Sequence, residues 1–202
     1  QGGGHAPRVA ASGGQAHGGY IHILKFMEEA AVICASLPHE DIEDLADALS
    51  FLKGRLYIIG LGGSAANAIH MAADLCKLCN LDALAFCNIA ELTARANDEG
   101  WHSIYDGFLS RATPDDALFV LSVGGGAPTV SLPIISALDA FPGKVYGIVG
   151  PNGGHTARTG DIVIRIPIEN LKHVTPHTEA FQALIWHSLV SHPKLQKRKT
   201  TW

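Results

Sequence analysis

The sequence predicts an α/β domain with a mostly parallel, five-stranded sheet and two leading helices. Three observations carry that reading. Short apolar runs at 55–60, 83–86, 117–123, 144–150 and 161–167 alternate with helix-periodic segments, the pattern of successive β-α-β units. Most of these runs are apolar throughout rather than alternating, as strands are when helices cover both faces of a sheet. Two of them pass, at Gly60 and at Ser122, into glycine-rich turns followed by helical sequence. With 202 residues, 47% hydrophobic and 17% charged, the chain can bury a sizeable core and is expected to form one domain.

Taken in order, residues 1–19 are Gly- and Ala-rich, lack apolar periodicity and read as a flexible leader. The domain is expected over 20–192, with two helices in 20–53 and the α/β core in 54–192. From Tyr20 to Leu37 the apolar residues Ile21, Leu24, Met27, Ala31 and Cys34 recur at helical spacing, and Pro38 ends the helix. A second helix from Glu40 to Leu52 places Ile42, Leu45, Ala46 and Leu49 on one side. Acids crowd its first turn, where the helix dipole favours them, and Gly54 stops it. Further helices fit at 64–79, 88–96, 101–111, 128–140 and 175–191, with a short turn near 154–159. Residues 193–202 carry the basic cluster Lys194, Lys197, Arg198 and Lys199 and read as a solvated tail.

Composition excludes several classes. A net charge of −4 gives no general electrostatic reason to bind nucleic acid. No apolar run reaches the roughly 18–20 residues that a membrane span requires, and the start lacks a signal-peptide pattern, so a cytoplasmic protein is expected. Cys34, Cys76, Cys79 and Cys87 are too few and too scattered for a disulfide framework. Cys76 and Cys79 have C-x-x-C spacing without a second pair, and read as small core residues.

Ligands of parallel sheets bind beyond the carboxyl ends of the strands, where strand order reverses. That selects the loops 60–64, 86–98, 122–128 and 150–154. In the first, Gly60-Leu61-Gly62-Gly63-Ser64 meets a small-residue helix, whose free N–H groups attract an anion; the same pattern also occurs in structural turns. The third, Ser122-Val123-Gly124-Gly125-Gly126-Ala127-Pro128, repeats the design with Pro near the helix start. Together the two loops suit one phosphate. His70 and Asp74, at i and i+4, share a helix face beside the first loop. Glu179 and His187, eight residues apart in a later helix, share a face there. Two histidines and two carboxylates suit a divalent first-row metal such as zinc, although each alone also reads as a core or capped His or a solvated acid. His187 stands among Ile185, Trp186, Leu189 and Val190, where an imidazole needs a partner. His102, His155, His173, His177 and His192 show no comparable arrangement. Asn97-Asp98 before Glu99-Gly100 reads as turn chemistry on its residues alone.

In this order the motifs resemble those of sugar isomerase (SIS) domain proteins, and within them the phosphoheptose isomerase subgroup, over roughly residues 20–192. The residues that carry the resemblance are Gly60 to Leu75 with His70 and Asp74, then Ala96-Asn97-Asp98-Glu99-Gly100, the Ser122 loop, Asn152-Gly153-Gly154, Glu179 and His187. The resemblance implies a three-layer αβα flavodoxin-like fold. It also implies leading helices that build a homotetramer, with active sites shared between subunits. It implies interconversion of sedoheptulose 7-phosphate and an aldoheptose 7-phosphate, with bound zinc. Phosphate then falls to Gly62, Gly63 and Ser64 and to Ser122, Val123, Gly124, Gly125, Gly126 and Ala127, and the sugar contact to Asn97 and Asp98. The metal or acid–base set falls to His70, Asp74, Glu179 and His187, with Asp74 as base, assisted by Glu179, and His187 as acid.

The departures are specific. The family usually has Asn at Leu61, Glu at Asp74 and Gln at Glu179. Its Ser-Thr-Ser-Gly-Asn-Ser becomes Ser122-Val123-Gly124-Gly125-Gly126-Ala127, and lost hydrogen bonds to a charged group remove roughly 1.5–3 kcal/mol each. An aldose–ketose isomerase of sugar phosphates is the leading expectation. The alternative is a non-catalytic SIS module that binds a sugar phosphate or a protein partner.

Overall fold

The computed structural model describes residues 15–200. The expected leader lies outside the described residues up to position 14, and from Gln15 the backbone is already helical. Helix α1 spans Gln15–Ala35 and α2 spans His39–Ser50, divided by Pro38, whose carbonyl accepts the Ile42 N–H at 3.1 Å. The five strands are β1 (Leu56–Gly60), β2 (Ala83–Ala85), β3 (Ala117–Ser122), β4 (Lys144–Val149) and β5 (Ile162–Arg165). They form one sheet in the order β2-β1-β3-β4-β5 with every neighbouring pair parallel. The remaining helices are α3 (Gly63–Asp74), α4 (Ile89–Asp98), α5 (Asp106–Leu109), α6 (Leu132–Ala140), α7 (Thr156–Thr159) and α8 (Val174–Val190).

The continuous apolar strands are split by the pleat between two cores, one on each face. Leu56 and Ile58 of β1, with Phe119 and Leu121 of β3, pack with Leu45, Leu49, Met71 and Trp186 from α2, α3 and α8. Tyr57 and Ile59, with Leu118 and Val120, pack on the other side with Tyr105, Ile134 and Leu138. Three layers result, as the sequence predicts, because side chains of both parities must leave water. Full burial of each such side chain stabilises the fold by about 1.5–3 kcal/mol.

Four local differences have physical causes. The helix expected at 64–79 becomes a π-turn over Leu75–Cys79, closed by Asn80 in the left-handed conformation, so Asp74 stands where the helix widens. The helix expected at 101–111 splits into a 3-10 turn, Trp101–Ser103, and the short α5. Neighbouring Ile104 and Tyr105 are both buried, and Tyr105 is drawn in by a hydrogen bond to the sheet. The helix expected at 128–140 starts only at Leu132, with Pro133 in its first turn. Residues 127–131 form a separate turn in which Ala127 O accepts from Val130 N and Ser131 N. The backbone of the basic run after α8 is docked while its charged residues stay exposed: Leu195 is buried, and the Lys197 and Arg198 N–H groups donate to Leu78 O at 2.8 and 3.1 Å. Among the described residues, no helix is long and apolar enough to cross a membrane.

Candidate functional site

Strands β1 and β3 are neighbours, with Gly60 opposite Leu121, yet their connections lead in opposite directions, β1 through α3 to β2 and β3 through α6 to β4. This divergence opens the crevice at which parallel sheets bind ligands. At its β1 side, Gly62 adopts φ +61°, a conformation only glycine enters without strain, and no side chain caps the first turn of α3. Tyr105 holds this loop from below: its hydroxyl donates to Gly60 O at 2.8 Å, and burial pushes its phenol far above the ordinary value. The Ser64 hydroxyl is buried at the helix start without a partner, which leaves a polar atom in want of a ligand.

Nearly two turns further, α3 presents His70 and Asp74 toward α8. His70 Nε2 lies 3.6 Å from an Asp74 carboxylate oxygen, and ligand atoms of His70, Asp74 and His187 all lie within 4.8 Å of one another. Trp186, fully buried, floors the group, stacking on His187 at 3.5 Å and meeting His70 edge-on at 4.7 Å. His187 Nδ1 is 2.7 Å from the carbonyl of Ala183; a carbonyl only accepts, so the proton sits on Nδ1 and Nε2 faces outward. Two imidazoles and a carboxylate, one ring oriented by a carbonyl, fit a zinc-like ion that keeps a position open for substrate.

The other expected residues are placed differently. The Glu179 carboxylate lies against the backbone of Gly63, in the space that a Cβ there would need; it belongs to the first loop rather than to the His70 group. Asn67 donates to Glu179 O at 2.9 Å and to Gln182 Oε1 at 3.1 Å, which fastens α3 to α8 and sets the distance between the two histidines. Asn97 and Asp98 fall in the last turn of α4, exposed, with Asn97 donating to Asp98 at 2.7 Å.

In the third loop, Ser122 Oγ accepts the Gly125 N–H at 3.0 Å, and Gly125 and Gly126 take φ +59° and +85°. The Gly125 carbonyl receives both Thr156 N at 2.8 Å and Thr156 Oγ1 at 3.0 Å. The loop is therefore folded onto Gly153 and Gly154 of the fourth loop, whose backbone occupies the space of side chains at 125. Val123, Gly124 and Ala127 offer only backbone groups to a ligand.

Two features escape the sequence reading. Ser131 is buried beside the third loop, its hydroxyl 3.9 Å from where a Cβ on Gly124 would stand. It lies past the expected loop end, and only the late start of α6 brings it there. His173 and His177, left unassigned above, converge on Glu29 of α1 as a second group of metal-capable side chains. Their i, i+4 spacing was visible in sequence, but their partner was not.

The chain is 33% identical over 143 residues to a phosphoheptose isomerase of Rhodospirillum rubrum, covering 67% of this chain and 73% of the relative. It is 31% identical over 155 residues to one of Geotalea daltonii, covering 73% and 78% respectively. Among solved structures, a phosphoheptose isomerase from Francisella tularensis superposes with a TM-score of 0.75 at 23% identity, over 88% of this chain and 97% of that one. No family model matches the chain.

Proposed function

Since this chain belongs to the phosphoheptose isomerase family of SIS-domain proteins, we propose that it interconverts an aldose and a ketose phosphate of the seven-carbon series. The observation that carries the proposal is the gathering of His70, Asp74 and His187 within 4.8 Å. They stand on the two helices that flank the first glycine loop.

Isomerisation moves one proton between adjacent carbons through an enediol. Asp74 removes the proton from C1 of the ketose, the electron pair forms the C1–C2 double bond, and O2 takes a proton from His187. The return of a proton to C2 while O1 surrenders its own gives the aldehyde. His187 is suited to the acid role because Ala183 holds Nδ1 and leaves Nε2 to carry the mobile proton. A zinc-like ion held by His70, Asp74 and His187 would polarise the sugar oxygens in place of the His187 proton, and with those side chains ligating, the base role would pass to Glu179. Glu179 supplies a second carboxylate close to Gly63, as an auxiliary base. Asn97 and Asp98 take the sugar hydroxyls.

Phosphate is held by the backbone N–H groups of Gly62, Gly63 and Ser64 and the orphaned Ser64 hydroxyl. The third loop contributes the Ser122 hydroxyl proton and the N–H groups of Gly124 and Gly126. Ser131 restores one of the hydroxyls that the loop lacks. The site is exposed in the single chain, with 60% of the His70 side chain open, which supports a homotetramer with sites completed at subunit contacts.

The test is to incubate the protein with sedoheptulose 7-phosphate before and after chelation. Conversion to the aldoheptose 7-phosphate that falls on chelation and returns with zinc is expected. Bound zinc without conversion would point to another sugar phosphate, and neither zinc nor conversion to a non-catalytic binding module.

A further inference from the structure

Far from the His70 group, α1 is fastened to the start of α8 by an unusual cluster. His173 Nδ1 and His177 Nε2 lie 2.7 and 2.8 Å from the same carboxylate oxygen of Glu29. Asn170 Nδ2 lies 2.6 Å from the other oxygen and 3.0 Å from His173 Nδ1. Protons satisfy the three contacts to Glu29 but not the one between Asn170 and His173. To bond Glu29, His173 Nδ1 must carry a proton, but then it faces the Asn170 amide donor rather than accepting from it. The rings themselves are fixed: His177 is buried and stacked on Phe26 at 4.1 Å, and Phe26 also meets His173 at 5.3 Å.

We propose that Glu29, His173 and His177 form a second divalent-metal site, suited to zinc, that pins α1 to α8. Two imidazole nitrogens and a carboxylate oxygen are a zinc donor set. Bonds of about 2.0–2.2 Å place donors roughly 3.3–3.5 Å apart, so a small retreat of the Glu29 carboxylate admits the ion. The Glu29 side chain, 24% exposed, is free to make it. A cavity of about 270 Å³ opens onto the cluster between Lys25, Glu28, Ile33 and Asn170; it supplies the entry path and room for a water as fourth ligand. Asn170 then holds the second Glu29 oxygen and so orients the carboxylate from outside the ligand set. The ion's place, between the first helix and the helix that carries Glu179 and His187, makes it structural. The inference does not depend on the isomerase reading.

The experiment uses the whole protein, stripped with chelator, reloaded with zinc chloride and assayed for zinc per chain. The variant His70→Ala/His187→Ala is expected to retain one equivalent, and adding Glu29→Gln to it to remove that equivalent. His173→Ala, at a partly exposed position, repeats the test should Glu29→Gln perturb folding, with circular dichroism confirming the fold. In zinc-loaded crystals of the unaltered chain, anomalous scattering is expected to place a peak between Glu29, His173 and His177. No peak there, or zinc content indifferent to Glu29→Gln and His173→Ala, overturns the proposal. Failure of the active-site reading would instead appear as a missing peak at His70 and His187.

Discussion

Glu29 shows how one residue can carry a long-range contact that sequence spacing hides. Hydrogen bonds from Asn170, His173 and His177 hold its carboxyl down from 4.5 to about 2. The folded value lies below the unfolded one, so this stabilisation is complete above about pH 4.5 and disappears as pH falls toward 2. In metal-free solution, the wild-type melting temperature should exceed that of Glu29→Gln at pH 6, and the gap should close across that window. A gap unchanged down to pH 2 would contradict the assignment. His70 and Asp74 were legible because i, i+4 spacing fixes a shared face whatever the rest of the chain does. His187 was singled out for its apolar neighbours, but those residues point into the core while His187 stands on the exposed side of α8. Glu29 offered no such signal, because its partners lie in another helix far along the chain, and Glu179 shared the face of His187 yet folded onto Gly63.

At the scale of elements, all five strands were legible, since an apolar run long enough for a strand and bounded by turns has few alternatives. Loops and helix starts were less so. Pro128 reads as a helix opener, but Pro133 performs that role, because the turn at 127–131 must first seat the third loop against the fourth. This matters for phosphate binding, since the loop's order rests on two side-chain bonds, Thr156 Oγ1 to the Gly125 carbonyl and the Gly125 N–H to Ser122 Oγ. Ser122→Ala removes that acceptor from a buried N–H and should lower stability by about 1–2 kcal/mol, read by urea unfolding. In turnover assays the same change should raise KM for the sugar phosphate more than it lowers kcat. A loop already collapsed onto Gly153 and Gly154 without need of the hydroxyl would show neither effect.

For the whole molecule, the single chain leaves an apolar stripe on α1 uncovered: Ile21, Ile23, Leu24 and Met27 are each about half exposed. A monomer has no use for such a stripe, whereas a helix pairing with copies of itself does. Sedimentation of the wild type should therefore give a tetramer, and Leu24→Glu with Met27→Glu a smaller species whose isolated fold is retained; a wild-type monomer would remove this part of the account. Nothing in charge or length distinguishes this chain from other α/β domains until His70, Asp74 and His187 are brought to one place by Asn67 and Gln182. The most direct measurement of the central claim is kcat for sedoheptulose 7-phosphate in Asp74→Asn beside the wild type, with fold checked by circular dichroism. Loss of the base should lower kcat by about 100-fold or more while the fold persists. A kcat within about two-fold of the wild type, far short of the range for general base catalysis, would contradict it.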